Sequence, residues 1–429
     1  MSRTPSTDRL VTLRRDLHRH PEPAWREFYT TARIVEEVER IGVDALYVGR
    51  DALATEYRAA VPDEAELDRW YDRALAAGAR EDVLETLAGG YTGAVAVVER
   101  GEGPTVALRV DVDGLEREES TDPDHAPVAE GFRSEIPGMM HACGHDAHVT
   151  IGLGVLEAIT ESDFTGTFKL LFQPGEELGA GGEPMARSGH LDDVDHLLVT
   201  HVGLGYPTGT VVPDVSEFLA VGDFRAEFTG EAAHAGGNPQ AGRNAILALA
   251  TAVQNLHAIP RHEDGMTRIN VGEVAGGSAT NVVPERAVLE GEARGETTEL
   301  WEYMRAHVDR ILRTAAELHD CAVDVEYGTV LPTARSDAAL VDVVATVARE
   351  TPGVTDIGTY DSPGGSEDAT ILMREVQSHG GQAAYVGIGT DHPTDHHTAT
   401  FDVDERSIPI GVDVLAGAVR ALGGRRPSA

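Results

Sequence analysis

Short β-rich runs alternate with helical runs over much of the chain, and this alternation limits the possible folds more than any other feature. Candidate strands cover residues 92–98, 105–112, 167–172 and 196–201, and a helical run covers residues 152–159. Strands that alternate with helices are typical of a doubly wound, mostly parallel sheet. We therefore predict an α/β domain whose ligands bind at the carboxyl ends of the strands.

A segment with a different pattern interrupts this α/β domain. Within residues 217–328, half-exposed strands and two helical patterns follow one another in the order β-α-β-β-α-β, which is typical of a ferredoxin-like α+β domain. Beyond it the α/β pattern returns, with a helix over residues 337–350 and a strand over residues 383–388. We expect one domain formed by residues 1–216 and 329–429, and an inserted domain formed by residues 217–328.

Two helices and a charged insert are predicted before the first strand of the sheet. Apolar residues at helical spacing over residues 7–42 are broken by Pro21 and Pro23, which predicts two helices with a proline corner. The charged stretch over residues 51–90 predicts a helical insert that decorates the domain and carries no catalytic residue.

The charge balance excludes one class of partner. The sequence has 35 Lys and Arg residues against 72 Asp and Glu residues, a formal net charge of −37, so we expect no nucleic-acid partner. Lys169 is the only lysine, and the guanidinium of arginine is less strongly hydrated than an ammonium group. This choice and the excess of carboxylates favour adaptation to a cytoplasm of high salt concentration. The alternative explanation is the composition of a GC-rich genome.

Two further features point to the cytoplasm. Cys143 and Cys321 are the only cysteines, too few for a disulfide framework, which favours a reducing compartment. The first residues lack the apolar core of a signal peptide, and no run of about 18 apolar residues could span a bilayer. We expect a cytoplasmic protein with no membrane partner.

A cysteine and a histidine form the first candidate metal site. Cys143 and His145 are separated by one glycine, so their thiolate and imidazole can converge on one cation, while the carboxylate of Asp146 could orient the imidazole. The alternative is a buried cysteine next to solvated histidines.

Further metal donors follow other predicted strands. Glu176 and Glu177 follow an apolar strand, and adjacent side chains in an extended chain point apart, so one carboxylate could bind a metal while the other faces a water molecule. His201 ends another apolar run, and His396 and His397 follow the strand over residues 383–388. Donors gathered at strand ends favour a dinuclear metal site, although paired glutamates are also common on solvated surfaces.

These motifs, in this order, resemble the metal-dependent amidohydrolase and zinc peptidase superfamily of aminoacylases, hippurate hydrolases, auxin-conjugate hydrolases and carboxypeptidase G. Within it the chain is most similar to the subgroup that acts on p-aminobenzoyl-glutamate, which shares the insert over residues 51–90. Gly175 replaces the alanine usual in the family, and Thr398 stands where relatives tend to have Asn or Ser. The matching stretches are Arg14–His18, Arg109–Asp113, Met140–Asp146, Phe172–Glu177, Ala232–Gly236, Asn281–Pro284, Gly365–Asp368 and His396–His397.

The resemblance implies a metal centre and two catalytic carboxyl groups beside it. It implies two divalent ions, Zn or Mn, with the cysteine thiolate bridging them. Glu176 would be the general base, which takes a proton from the attacking water and gives it to the leaving amine. Asp113 would steady a metal ligand, or would otherwise cap a turn. The implied metal ligands are Cys143, His145, Glu177, His201 and His397.

The inserted domain would be a dimerisation (lid) domain that supplies further residues. His234 would reach across a dimer interface and stabilise the oxyanion, although a histidine between alanines is usually a turn residue. Asn281 and Arg294 would bind substrate, with Arg294 pairing with a carboxylate unless it is an ordinary surface arginine. Gly365 and Ser366 would border the substrate pocket.

The implied reaction is hydrolysis of the amide bond of an N-acyl or N-aroyl amino acid, most simply p-aminobenzoyl-glutamate. One alternative is a dipeptidase or carboxypeptidase, which would share every metal ligand. Another is a non-catalytic protein that assists a related hydrolase. The small-molecule substrate would be bound by a homodimer, or by a heterodimer with a related chain. The remaining notable histidines are expected to be structural or solvated: His18, His20, His125, His148 and His392.

Overall fold

The computed structural model describes residues 6–216, 218–360, 365–392 and 394–423. The chain divides into two compact units. Unit 1 comprises Met1–Ser216, Ala334–Asp361 and Asp368–Ala429, and unit 2 comprises Glu217–Thr333 and Ser362–Glu367. No helix in the described part of the chain is both long and apolar enough to cross a bilayer.

The helices among these residues are α1 (Thr7–Arg19), α2 (Phe28–Ile41), α3 (Glu64–Ala76), α4 (Glu81–Leu87), α5 (Ala126–Ala129), α6 (His145–Thr160), α7 (Gly182–Ala186), α8 (Ala245–His257), α9 (Thr298–Leu318), α10 (Ala338–Glu350), α11 (Ala369–Ser378) and α12 (Ser407–Leu422). The strands are β1 (Ala45–Val48), β2 (Ala94–Arg100), β3 (Thr105–Asp111), β4 (Gly166–Gln173), β5 (His196–Val202), β6 (Thr210–Val212), β7 (Ala220–Thr229), β8 (Ala233–His234), β9 (Thr267–Gly276), β10 (Val282–Val283), β11 (Arg286–Gly295), β12 (Ala322–Leu331), β13 (Asp356–Ile357) and β14 (Gln382–Ile388).

Unit 1 is built on a mixed sheet with a parallel centre. Within the described ranges its strand order is β1-β2-β4-β3-β5-β14-β6-β13. The four central strands β4, β3, β5 and β14 run parallel, whereas β1, β2 and β6 join by antiparallel pairing. Every residue of β3 and β5 is buried, as expected for parallel strands covered on both faces. The predicted doubly wound, mostly parallel sheet is confirmed.

Helix α6 connects the core of unit 1 to its candidate site. It packs against β3 and between α1 and α12, and nearly all of its residues are buried. Close packing depends on Gly154, where an added Cβ would lie 2.5 Å from a methyl group of Val412. The position of the first residue of α6, His145, is therefore fixed by the core.

Unit 2 has the predicted ferredoxin-like arrangement. In the described residues its larger sheet is antiparallel, in the order β12-β7-β11-β9, and α8 and α9 pack on it. The strand β12 continues past Gly328 to Leu331 after a register shift, so unit 2 extends to Thr333, beyond the expected boundary at residue 328. Pro284, which has no backbone N–H, lies between β10 and β11 and separates them.

The charged insert forms helices α3 and α4. Their apolar residues, including Leu67 and Leu84, pack with Phe28 and Val35 of α2 in a cluster of buried side chains. The insert therefore forms, together with α2, a small additional core in unit 1.

Candidate metal centre

The candidate donors meet at the carboxyl edge of the central strands. Asp111 ends β3, Glu176 and Glu177 follow β4, and His201 lies near the end of β5. Because these strands are parallel neighbours, their carboxyl ends lie at one edge of the sheet. Cys143 and His145 reach the same edge from the start of α6, where Gly144 makes the turn in a left-handed conformation, φ 85°. His397 follows β14.

The structure brings the five proposed ligands together within unit 1. Cys143 Sγ lies 3.4 Å from His201 Nε2. Glu177 lies between two histidines, with Oε1 3.8 Å from His145 Nε2 and Oε2 3.5 Å from His397 Nε2. Cys143, His145 and His201 are buried, whereas the side chain of His397 is 59% exposed. His397 is thus the ligand most exposed to solvent, while the other histidines and the cysteine lie inside unit 1.

Backbone carbonyls determine the tautomers of two of these histidines. His145 donates from Nδ1 to the carbonyl of Asp113 at 2.9 Å, and His201 donates from Nδ1 to the carbonyl of Val202 at 2.8 Å. A carbonyl oxygen only accepts, so each Nδ1 carries a proton, and Nε2 is the nitrogen whose lone pair can bind a proton or a metal ion. Nε2 of His145 is buried and receives no hydrogen bond from the described residues. Both rings therefore turn a lone pair into the centre.

The charges around the centre favour a cation. The carboxylates of Asp111 and Glu176 lie 3.7 and 3.9 Å from His145 Nε2. Burial opposes a charge on His145, but the carboxylate of Asp111 and the contact with Asp113 raise its pKa well above its ordinary value. Burial and the nearby Glu177 raise the pKa of the Cys143 thiol to about 12. The buried lone pair and these carboxylates fit a divalent cation, which would compensate their charge.

Two acidic side chains accept hydrogen bonds from the backbone of the loop that carries Glu176. Glu27 accepts a hydrogen bond from the N–H of Gly175 at 2.8 Å, and Asp113 accepts one from the N–H of Glu177 at 3.0 Å. Gly175 has φ 68°, a left-handed conformation that glycine adopts without strain. Glycine therefore fits the backbone at position 175 without strain.

A buried ionic network supports the start of α6. Arg14 Nε lies 2.7 Å from Asp146, and His18 contacts Asp146 at 2.8 Å and Glu119 at 3.0 Å. Burial and the Arg14 charge oppose a proton on His18, but these two hydrogen bonds outweigh them and raise its pKa to about 9. His125 also binds Glu119, at 3.0 Å. His18 and His125 thus have the structural roles expected of them.

The raised pKa of His18 predicts a pH dependence of stability. The stabilisation is complete below the unfolded-state pKa of 6.5 and is lost as pH rises through about 9. We expect the difference in unfolding free energy between wild type and His18→Gln to shrink by about 3 kcal/mol over that interval. Urea unfolding of both proteins at about pH 6 and about pH 10 measures it. Equal differences at the two pH values would contradict a charged His18.

Three residues near the centre were not among the five implied ligands. Asp111, His148 and His396 are close to the proposed ligands, and His396 groups with Cys143 and His201 at ligand spacing. A signal for Asp111 was its place at the end of β3, and His148 lies three residues after His145 on the same helix. Several of their hydrogen-bond partners lie far away in the sequence, so the sequence alone could not assign them.

The site residues predicted for unit 2 fall into two groups. His234 in β8 pairs with Val282 in β10, directly beside Asn281. Both are exposed. Nδ1 of His234 accepts hydrogen bonds from the N–H groups of Gly236 and Gly237 at 3.1 and 2.9 Å, so the proton lies on Nε2, which remains available as a donor.

The second group lies at the other end of the sheet in unit 2. Arg294 is eight residues along β11 from Arg286, roughly 26 Å at the rise of a strand. Its guanidinium makes two hydrogen bonds of 2.9 Å to Glu292, as in an ordinary surface ion pair. Gly365 accepts a hydrogen bond from the N–H of Leu219, and Ser366 donates to the carbonyl of Leu219. Within unit 2, the structure does not bring these residues near His234.

The sequence of the whole site region matches one protein family. The model of peptidase family M20/M25/M40 matches residues 107–421, which span every proposed ligand. The chain therefore belongs to this family and is an amidohydrolase, a metallopeptidase-type hydrolase of amide bonds. The resemblance to the superfamily is confirmed.

Relatives narrow the position within the family. Indole-3-acetyl-aspartic acid hydrolase of Enterobacter agglomerans is 42% identical over 94% of this chain and 93% of its own length. One of the chains of p-aminobenzoyl-glutamate hydrolase of Escherichia coli (strain K12) is 40% identical over the same shares. A crystal structure of the aminobenzoyl-glutamate utilization protein from Klebsiella pneumoniae has a TM-score of 0.80 and 34% identity, covering 96% of this chain and 95% of that one. These similarities support the predicted subgroup.

Proposed function

We propose that this amidohydrolase releases an acidic amino acid from an N-acyl or N-aroyl conjugate, with p-aminobenzoyl-glutamate as the first candidate substrate. The observation that carries the proposal is the cluster of buried metal donors beside Glu176 at the sheet edge. Relatives named for aspartate and glutamate conjugates support the substrate class.

We further propose that two divalent metal ions, Zn or Mn, bind at this cluster. The ions would be held by Cys143, His145, Glu177, His201 and His397. Thiolate and imidazole donors favour zinc, whereas carboxylate oxygen also suits manganese. When bound, the ions supply Lewis-acid polarisation of the amide carbonyl and lower the pKa of a nearby water molecule.

The protein residues move the proton and hold the geometry. Glu176, partly exposed beside the buried donors, would take a proton from the attacking water and deliver it to the leaving nitrogen. Asp113 would fix the orientation of His145 and the loop that carries Glu177, through the hydrogen bonds described above. Both roles of Asp113 use contacts that exist before substrate binds.

Unit 2 would complete the reaction as a dimerisation unit. Nε2 of His234 is free to donate a hydrogen bond to an oxyanion, with Asn281 beside it as a substrate contact. We propose that this donor acts across the interface of a homodimer, or of a heterodimer with a related chain. Cross-complementation tests it. Mixing an inactive His234→Ala protein with an inactive Glu176→Gln protein should restore part of the activity. No restoration would indicate that His234 acts within its own chain or has no catalytic role.

A substrate panel tests the activity. The purified chain alone, stripped of metal and reloaded with Zn or Mn in high KCl, should hydrolyse p-aminobenzoyl-glutamate or indole-acetyl-aspartate faster than dipeptides. Faster cleavage of dipeptides would favour the peptidase alternative. Inactivity that is relieved only by a related chain would favour the role of a non-catalytic partner.

The acidic composition leads to a prediction about salt. We propose adaptation to a salt-rich cytoplasm, in which cations screen the repulsion within a net charge of −37. The thermal unfolding midpoint should rise as KCl increases from low to molar concentration, where the screening length falls to about 3 Å. Sorbitol of equal osmolality is the control and should have a smaller effect. A midpoint that is insensitive to KCl would favour genomic composition as the explanation.

A further inference from the structure

His148 lies at ligand spacing from two proposed metal ligands but has no lone pair to offer. It is fully buried on α6, and its nitrogens lie close enough to those of His145 and His201 to share a cation with them. However, its Nε2 accepts a hydrogen bond from the N–H of Val202 at 2.8 Å, and its Nδ1 lies against Asp111 Oδ1. A backbone N–H can only donate, so the proton of His148 lies on Nδ1.

The peptide groups of Val202 link His148 to two other rings. The N–H of Val202 is held by His148, and the carbonyl of Val202 accepts hydrogen bonds from His201 Nδ1 at 2.8 Å and from His396 Nε2 at 3.1 Å. The backbone at Val202 therefore determines which nitrogen of His201 is free. Loss of the hydrogen bond between Val202 and His148 would shift this part of the backbone and would therefore change the orientation of the His201 ring.

Asp111 fixes the other side of the His148 ring. The carboxylate of Asp111 also accepts a hydrogen bond from Arg109 at 2.6 Å, and Arg109 donates to Asp368 at 3.0 Å. Asp111, Arg109 and Asp368 are fully buried, so solvent does not compete for these bonds. The contacts that lead from Arg109 through Asp111 and His148 to Val202 are thus shielded from water inside unit 1.

We propose that His148, oriented by Asp111, is a positioning residue that fixes Val202 so that His201 presents Nε2 to a metal ion. The inference rests on the metal centre of the proposed function and adds a residue to it that is not itself a ligand. Partners of metal-binding histidines typically change metal affinity by about 10- to 100-fold when removed. Loss of the bond from Val202 to His148 should weaken binding by a factor in that range.

Two amide substitutions separate the contacts of His148. The amide oxygen of Gln can replace Nε2 as acceptor for Val202, whereas Asn reaches only the position of Nδ1. With Co²⁺ as the probe, chelator competition should show weaker binding by about 10- to 100-fold for His148→Asn and near wild-type binding for His148→Gln. Excess Co²⁺ should restore the visible spectrum of His148→Asn. The control is His196→Asn, a buried histidine at the first residue of β5, at the end of the strand away from the site, which should bind as wild type does.

The outcomes distinguish this inference from the proposed function. Wild-type protein that binds no Co²⁺ would overturn both, because no metal centre would exist. Wild-type binding with equal affinities for wild type, His148→Asn and His148→Gln would overturn the positioning role alone, as would equal weakening of both variants. If His148→Asn does not fold, ¹⁵N NMR of histidine-labelled wild type decides. The proton of the His148 ring should lie on Nδ1, and a proton on Nε2 would overturn the inference.

Discussion

Replacing Glu176 by Gln should lower kcat by about 10²- to 10⁴-fold, because the amide keeps the shape of the side chain but cannot accept the proton of the attacking water. Metal content should not change, because the five proposed ligands do not include Glu176. Steady-state hydrolysis of p-aminobenzoyl-glutamate, with elemental analysis of the same samples, measures both quantities.

A matched variant controls for the removal of a negative charge. Glu183 lies further along the chain, in α7, and pairs with Arg187 at 3.0 Å while partly exposed. Glu183→Gln should therefore retain wild-type turnover and metal content. Retained activity in Glu176→Gln would remove this residue from the role of base. Activity lost together with metal would make it a ligand instead.

Replacing Arg109 by Met should lower the free energy of unfolding by about 3–5 kcal/mol, because it leaves two buried carboxylates without their cation. Arg109 is fully buried and donates to Asp111 at 2.6 Å, Asp368 at 3.0 Å and the side-chain oxygen of Gln173 at 2.9 Å. Methionine fills a similar length of the cavity but supplies no donor. Urea denaturation in high KCl measures the change.

An exposed arginine provides the comparison. Arg187 pairs with Glu183 and Glu375 near the surface, where its side chain is 46% exposed. Because exposed ion pairs contribute little, Arg187→Met should change the unfolding free energy by about 1 kcal/mol or less. Equal effects of the two substitutions would show that the buried contacts of Arg109 stabilise the fold no more than an exposed ion pair does.

The sequence predicted the longer elements better than the short ones. The apolar runs of β3, β4 and β5 and the helical spacing in α1 and α2 are local patterns, and the structure contains each element. By contrast, β1, β6 and β13 have two to four residues, too few to show the alternation of a strand. They form because a neighbouring strand offers its hydrogen bonds, as β14 does for β6.

The residues of the candidate site were also predicted from the sequence only in part. Cys143, Glu177 and His201 could be proposed from the sequence because each follows or ends a recognisable pattern. The separation of Arg294 from His234 within unit 2 is not visible in the sequence, because position along β11 depends on strand pairing, which a local motif does not specify. His148 was expected to be structural. In the structure, its ring is held by hydrogen bonds to Asp111 and to the N–H of Val202, which is a structural role.

The sequence by itself determined the layered α/β architecture, the inserted ferredoxin-like unit and the kinds of donor atom available, since hydrophobic periodicity and residue chemistry are local properties. The tertiary structure decided which nitrogen of each histidine is free and which carboxylates are compensated. These depend on hydrogen bonds between residues far apart in the chain, such as Arg109 and Asp368, which are 259 positions apart. Only folding brings such partners to one place, and burial away from water gives their contacts strength.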